Sequence, residues 1–285
     1  AGRIFEVLDE RAAVVDRPGA IDLIEPHGAV EFRDVTFAYA TGEPVLQHFD
    51  LRIEPGETVA IVGRTGSGKS TVARLLTRFY DVQSGSVRID GHDVRDLTLA
   101  SVRHHVGLVL DDPFLFSASL HDNIAYARPD ASRADVERAA RAAQAEEFVV
   151  DLGQGYDAVV GERGYDLSGG QRQRVSIART LLADPAVLVL DDATSAIDVH
   201  VEQQIHGALH ELLGSRTTIL IAHRLSTIAL ADRVVLLEDG RVIASGTHAE
   251  LLAGEPRYAA VLAQVRAEEV GDAIGDAPAE GAVGG

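Results

Sequence analysis

Gly63-Arg64-Thr65-Gly66-Ser67-Gly68-Lys69-Ser70 follows the apolar run Val59–Val62 and opens the helix-like stretch Lys69–Phe79. The spacing is G-x-x-x-x-G-K-[ST], set between a strand and a helix as a P-loop requires. Its glycines let the backbone curl so that successive N–H groups converge on an anion. The helix N-terminus adds positive partial charge at the same point. Lys69 is placed to reach the β- and γ-phosphates of a nucleotide, and the Ser70 hydroxyl to bind Mg²⁺. A glycine-rich turn before a helix is the bland alternative. It is disfavoured by the flanking strand and helix, and by the use of lysine across the chain. Of 26 basic residues, 25 are arginine, and Lys69 is the single lysine. A compact ammonium on a flexible stem is kept where a planar fork would not fit.

The rest of the composition narrows the class. The chain has 285 residues, 44 acidic and 26 basic, for a formal net charge of −18. An acidic surface repels nucleic-acid phosphates, so no nucleic-acid partner is expected. Arg64, Lys69, Arg74 and Arg78 offset that charge locally, where a polyanion must sit. Cysteine is absent, which removes disulfides, thiolate metal sites and thiol nucleophiles. No apolar run approaches the ~18 residues needed to cross a bilayer. No secretion leader is read. Methionine is absent even at position 1, and the chain is read as a piece of something longer.

Working outward, Gly2–Arg11 reads as a short helix and Pro18, Gly19, Pro26 and Gly28 as a connecting stretch. Alternation through Val30, Phe32, Val35, Phe37 and Tyr39 predicts a strand, and Leu46–Ile53 a second. Four runs are apolar without alternation: Val59–Val62, Val106–Leu110, Val187–Leu190 and Thr218–Ala222. Such runs fit strands buried on both faces of a parallel sheet. Helical stretches at Lys69–Phe79, Arg133–Ala145, Gly169–Leu182 and Val201–Leu213 separate them, which predicts an α/β fold. The expected layout is a linker over 1–28, a main domain over 29–268 and an acidic Gly/Ala tail over 269–285. Within the main domain lie an N-terminal antiparallel β subdomain, a mainly parallel core and a helical insertion at about 112–182. The four runs end in Gly63, Asp111, Asp191-Asp192 and His223. Open parallel sheets bind ligands beyond the carboxyl ends of their strands. One crevice is therefore expected to collect these groups.

Two further motifs carry chemistry. Val187-Leu188-Val189-Leu190-Asp191-Asp192 fits a Walker B strand, with Asp191 holding Mg²⁺ and the next carboxylate polarising the attacking water. Leu167-Ser168-Gly169-Gly170-Gln171 reads as a second helix N-terminus offering bare glycine amides to phosphate, or as an ordinary Ser-capped helix. With the P-loop and the Walker B strand, this LSGGQ resembles the signature of ATP-binding cassette (ABC) ATPases, over roughly Val30 to Gln264. The resemblance implies a P-loop NTPase core that binds ATP and Mg²⁺ across Gly63 to Thr71. It puts Tyr39 at the adenine-stacking position, although an inward strand residue is the plain alternative there. It also implies a D-loop at Ser195 to Asp198, a switch histidine at His223, and a head-to-tail dimer. In that dimer Ser168, Gly169, Gly170 and Gln171 face the partner's ATP. Phe114 to Ile124 and Val160-Gly161-Glu162-Arg163-Gly164 are similar to segments of exporter nucleotide-binding domains, and the second resembles the X-loop that lies near the coupling helices of a transmembrane domain. The implied setting is the cytoplasmic face of a membrane. Soluble ABC ATPases of DNA repair or translation fit less well, for want of coiled coils, zinc cysteines or a basic surface.

Two positions depart from the pattern. The residue after the Walker B aspartate is usually Glu, and here it is Asp192. The Q-loop position is usually Gln, and here it is Asp111, still a candidate Mg²⁺ ligand. One methylene fewer withdraws the Asp192 carboxylate by roughly 1.5 Å. A misplacement of about 1 Å costs on the order of 100-fold in rate. The resemblance then implies a site that binds ATP and turns it over slowly, paired with a different cassette. A homodimer using Asp192 as a slow base, and a regulatory cassette that clamps without hydrolysis, remain the alternatives.

Overall fold

The apolar runs do what two-sided burial demands. In the computed structural model, which describes residues 12–40, 42–164, 166–192, 216–222 and 224–275, neighbouring residues of the runs Val59–Val62, Val187–Leu190 and Thr218–Ala222 enter different cores, whereas Val106–Leu110 is fully buried only at Val106 and Val109 and leaves Leu110 exposed. Ala60, Val62, Leu188, Leu190 and Leu220 pack into one. Val59, Ile61, Val187, Val189, Ile219 and Ile221 pack into the other. A strand places successive side chains on opposite faces, so a sheet covered on both sides needs apolar residues at every position.

Two sheets result. The first is antiparallel, in the order β2-β1-β4-β5, with β1 Val30–Phe37, β2 Leu46–Ile53, β4 Ser84–Ile89 and β5 His92–Asp93. The second has the order β10-β9-β3-β8-β7-β6. Its strands are β3 Thr58–Val62, β6 Val106–Val109, β7 Val187–Asp191, β8 Thr217–Ile221, β9 Arg233–Glu238 and β10 Arg241–Gly246. All its pairings are parallel except β9 with β10. This is the expected α/β architecture, with more strands than the four runs announced. Val234 to Leu237 is a fifth apolar run of the same kind, buried throughout. Asp34, at φ 46°, lies within the interval where the β1–β2 register shifts, which breaks the alternation read along β1.

The helices also follow the expected positions, with different ends. Helix α1, Lys69–Leu76, stops before Phe79 because Arg78 turns left-handed at φ 52°. Helix α2 is Leu99–His105. Helices α3 Leu120–Ala125, α4 Arg133–Ala142, α5 Glu146–Asp151 and α6 Gly169–Ala183 form the helical region. Helix α4 ends short of Ala145, where Gln144 sits at φ 53°. Helices α7 Leu225–Ile228, α8 His248–Gly254 and α9 Pro256–Gly275 complete the chain's described part. Helix α9 runs past residue 269, where a tail was expected. Its Ala and Glu residues are good helix formers, and Tyr258, Val261, Leu262 and Val265 bury one face. The expected helices Gly2–Arg11 and Val201–Leu213 lie outside the described residues.

The connecting stretch is fastened to the core through Arg78, whose side chain is fully buried. It donates to Asp81 at 3.0 Å, to the Leu97 carbonyl at 3.0 Å and to the Val15 carbonyl at 2.9 Å. Asp16 accepts from the Leu99 amide at 2.7 Å, and Ile21 forms a parallel bridge with Leu97. A buried guanidinium is tolerated when each of its nitrogens has an acceptor, and its loss strands those acceptors. Arg78→Met is expected to lower unfolding free energy by about 3 kcal/mol, measured by urea denaturation. Faster amide exchange should appear across residues 15–28. A change under about 1 kcal/mol, the ordinary size for a point mutation, would contradict this account.

Candidate nucleotide site

Strands β3, β8, β7 and β6 are neighbours and parallel, so their carboxyl ends lie along one edge of the sheet. Gly63, Asp191 and Asp111 sit at three of those ends. His223, expected at the fourth, lies outside the described residues, as do Ser195 and Asp198.

The loop from Gly63 to Gly68 is tightly built. A Cβ on Gly63 would stand 2.2 Å from the Leu237 carbonyl oxygen and 2.8 Å from Ser67 Oγ, so only glycine fits. Gly68 caps α1 at φ 105°. Arg64, Thr65 and Gly66 are exposed along the rim of the loop. Lys69 is buried to 5 % exposure, with Nζ donating to the Gly63 carbonyl at 2.7 Å and the Arg64 carbonyl at 3.1 Å. The ammonium is thus folded across the loop's own mouth. Ser67 Oγ is buried with no hydrogen-bond partner among the described residues. A buried hydroxyl normally has a partner. An oxygen-rich anion held by the loop supplies one, so the cradle fits a phosphate.

The metal pair is also assembled. Ser70 Oγ donates to Asp191 Oδ1 at 3.2 Å, across 121 residues of sequence. An oxygen pair of one hydroxyl and one carboxylate suits Mg²⁺, which takes few protein ligands and completes its shell with phosphate and water. Magnesium, when bound there, neutralises phosphate charge. Asp192 follows at φ 49°, half-buried, with its amide donating to the Ile221 carbonyl at 3.2 Å. The Asp111 side chain is exposed, while its backbone carbonyl accepts from Gln173 Nε2 at 3.0 Å. Gln173, fully buried on α6, was not anticipated from sequence, because its partner lies 62 residues away.

Tyr39 stands beside the loop. Its hydroxyl lies 3.0 Å from Thr71 Oγ1 and accepts from Arg74 at 3.2 Å. Tyr39 lies two residues past the end of β1 and contacts the helix that follows the phosphate loop.

Ser168, Gly169, Gly170 and Gln171 occupy the N-terminus of α6. The Ser168 hydroxyl accepts from the Gln171 amide at 3.2 Å, and Gln171 Oε1 accepts from the Ser168 amide at 2.9 Å. This reciprocal cap fixes the first turn.

Beyond the site, Phe114, Phe116 and Tyr126 form an exposed aromatic cluster. The rings of Phe116 and Tyr126 stack at 4.5 Å, and Phe114 meets Phe116 edge-on at 5.1 Å. Asn123, fully buried, holds both the amide and the carbonyl of Phe116 at 2.9 Å. Arg179 donates to the carbonyls of Asn123 at 2.7 Å and Phe114 at 3.1 Å. Burial lowers the Arg179 pKa.

The parallel sheet, the amide cradle and the lysine define a P-loop nucleoside-triphosphate-binding core. Comparison with known proteins takes this further. The "ABC transporter" family profile matches residues 46–195. A β-(1→2)glucan export ATP-binding/permease protein of Rhodopseudomonas palustris (strain BisB18) is 49 % identical over 277 residues, 97 % of this chain and 46 % of its own length. An ATP-dependent lipid A-core flippase of Syntrophus aciditrophicus (strain SB) is 44 % identical, over 96 % of this chain and 46 % of its own. The solved structure of a bacterial Atm1-family ABC exporter with ATP bound superposes with a TM-score of 0.88 at 44 % identity, covering 92 % of this chain and 46 % of that one. The chain belongs to the ATP-binding cassette family of ABC transporters, a family of ATPases. It spans less than half the length of each of these relatives. No helix among the described residues is long and apolar enough to cross a membrane.

Proposed function

We propose that this chain is the ATP-driven motor of a membrane exporter, and that its own Walker site is degenerate. The observation that carries the second part is a contrast along one strand end. Asp191 is joined to Ser70, so the binding half of the site is intact. The next residue, the one placed to polarise water, is the shortened Asp192. Asp111 adds a second departure at the end of β6. Binding ATP with Mg²⁺ falls to Gly63 through Thr71, with Asp191 and in part Asp111 toward the metal. Turnover at this site is slow because Asp192 stands back from the reacting water and an ionised Asp111 donates no hydrogen bond.

The intact, capped α6 N-terminus fits a head-to-tail pair in which Ser168 to Gln171 cover the ATP of a second cassette. That cassette carries Glu after its Walker B aspartate. His223, Ser195 and Asp198 keep the roles that the resemblance gives them. The exposed aromatic cluster of Phe114, Phe116 and Tyr126 supports docking of coupling helices from a transmembrane domain, and in this reading the chain works at the cytoplasmic face of the membrane.

The test measures MgATP binding and hydrolysis by the chain alone and mixed with its partner cassette. Tight binding, slow turnover alone and fast turnover in the mixture are expected. Turnover by the chain alone at the partner's rate refutes the degenerate site. No turnover in the mixture favours a regulatory cassette that only clamps.

A further inference from the structure

We propose that Arg74 is a positioning residue for the nucleobase platform, acting through the Tyr39 hydroxyl. The inference rests on the reading that Tyr39 stacks on the base.

A stacking platform helps binding only if its ring is already held in place, since ordering a mobile side chain at the moment of binding subtracts from affinity. Tyr39 is held from both ends. Phe37 and Tyr80 meet its ring nearly perpendicular, at 4.9 Å and 86° and at 5.1 Å and 86°. Those contacts fix the ring's position. Rotation of the hydroxyl end is fixed by Arg74 and Thr71, at 3.2 Å and 3.0 Å.

A guanidinium only donates, so the Tyr39 oxygen accepts from Arg74. Between Tyr39 and Thr71 either hydroxyl can donate to the other. Both partners act on the one hydroxyl and restrain that end of the ring. Arg74 acts at this hydroxyl edge. Its guanidinium carbon is 5.9 Å from the ring centroid, the outer limit for a cation–π contact.

The placement of the two anchors matters as much as the bonds. Thr71 and Arg74 lie three residues apart on α1, on neighbouring turns of one face. Lys69, the phosphate ligand, is on the same helix. One helix of eight residues therefore carries the phosphate-binding ammonium and both groups that hold the hydroxyl end of the base platform. The helix thus ties that end of the platform to the phosphate position, while Phe37 and Tyr80 seat the ring. Arg74 would thus favour a nucleoside triphosphate over a bare polyphosphate.

The experiment is calorimetry on the full 285-residue chain. The ligands are MgATP and magnesium tripolyphosphate. The variants are Arg74→Met, Tyr39→Phe, the double variant and Arg74→Lys. Each of the first two is expected to raise the MgATP Kd about five-fold, the worth of one hydrogen bond. The double variant should be no weaker than either single one, since both remove the same bond. Tripolyphosphate affinity should stay within about two-fold of wild type, because the lost bond touches only the base platform. Arg74→Lys, which keeps a donor, should recover part of the MgATP loss. Unchanged MgATP affinity in either single variant overturns the proposal. So does an equal loss for tripolyphosphate in Arg74→Met, which would make Arg74 a charge for the phosphates. Additive losses in the double variant also overturn it. Wild-type chain that fails to take up MgATP refutes the nucleotide reading itself, before any variant is compared.

Discussion

Lys69→Met is expected to weaken MgATP binding by at least about 100-fold while the chain stays folded. The ammonium is buried, held by the Gly63 and Arg64 carbonyls at 2.7 Å and 3.1 Å. Those two oxygens place it over the loop where the phosphates enter. A charge pair at about 4 Å in surroundings of intermediate dielectric is worth about 4 kcal/mol, or nearly three powers of ten. Binding must first pull the ammonium off its carbonyls, which lowers the net effect. Methionine fills the same space with an unbranched stem, so packing around α1 changes little. Arginine is the informative second variant. Lys69 is only 5 % exposed and a guanidinium is wider than an ammonium, so Lys69→Arg should fail almost as badly. Calorimetry with MgATP reads both, and circular dichroism confirms the fold. Retained micromolar affinity in Lys69→Met would remove the basis for the cradle.

The loop was legible in the sequence because everything it needs is local. Eight consecutive residues carry the glycines, the cation and the hydroxyl, and the strand and helix that flank them announce themselves. Two-sided burial made β3, β6, β7 and β8 legible in the same way. The same signal was present at Val234 to Leu237 and was passed over, because that run ends in Glu238 and Asp239 rather than in a residue of the expected crevice. Strand β4 carries no such signal: Ser84-Gly85-Ser86 opens it with small polar residues. What sequence could not show were bonds between distant residues. Arg78 reads in sequence as one of the bases offsetting charge at the phosphate site, yet it is among the most deeply buried side chains, because three acceptors from separate segments converge on it. The Asn123–Arg179 base under the aromatic cluster spans 56 residues, and the Gln173 bond to Asp111 spans 62. Residue type gives no hint of such pairings; the packing of α6 against α3 and against β6 creates them. A Cβ on Gly107 of β6 would meet Thr180 of α6 at 2.6 Å, so the helix lies almost on the strand backbone. That close approach carries the start of α6 toward the carboxyl end of β6, where Gln173 reaches Asp111.

Asp192→Glu is expected to raise turnover at this chain's own site by between about 10-fold and 100-fold. Two effects of the substitution oppose each other. The added methylene advances the carboxylate by roughly 1.5 Å toward the place of the attacking water. Against this, residue 192 adopts φ 49°, a left-handed conformation that aspartate tolerates better than glutamate. The backbone penalty is at most about 1–2 kcal/mol. It is present in the ground state and the transition state alike, so it lowers stability without raising the barrier. The gain acts only where charge develops on the water, and about 1.4 kcal/mol there is a factor of ten in rate. Rate should therefore rise even as the melting temperature falls slightly. MgATP affinity should stay within about two-fold, because the variant leaves Lys69 and the Ser70–Asp191 pair untouched. Asp111→Gln separates the second departure from the first. If both carboxylates hold turnover back independently, the double variant hydrolyses faster than either single one. If Asp192→Glu and Asp111→Gln together leave the rate where it was, the shortened side chain does not limit turnover, and the proposal of a degenerate site fails.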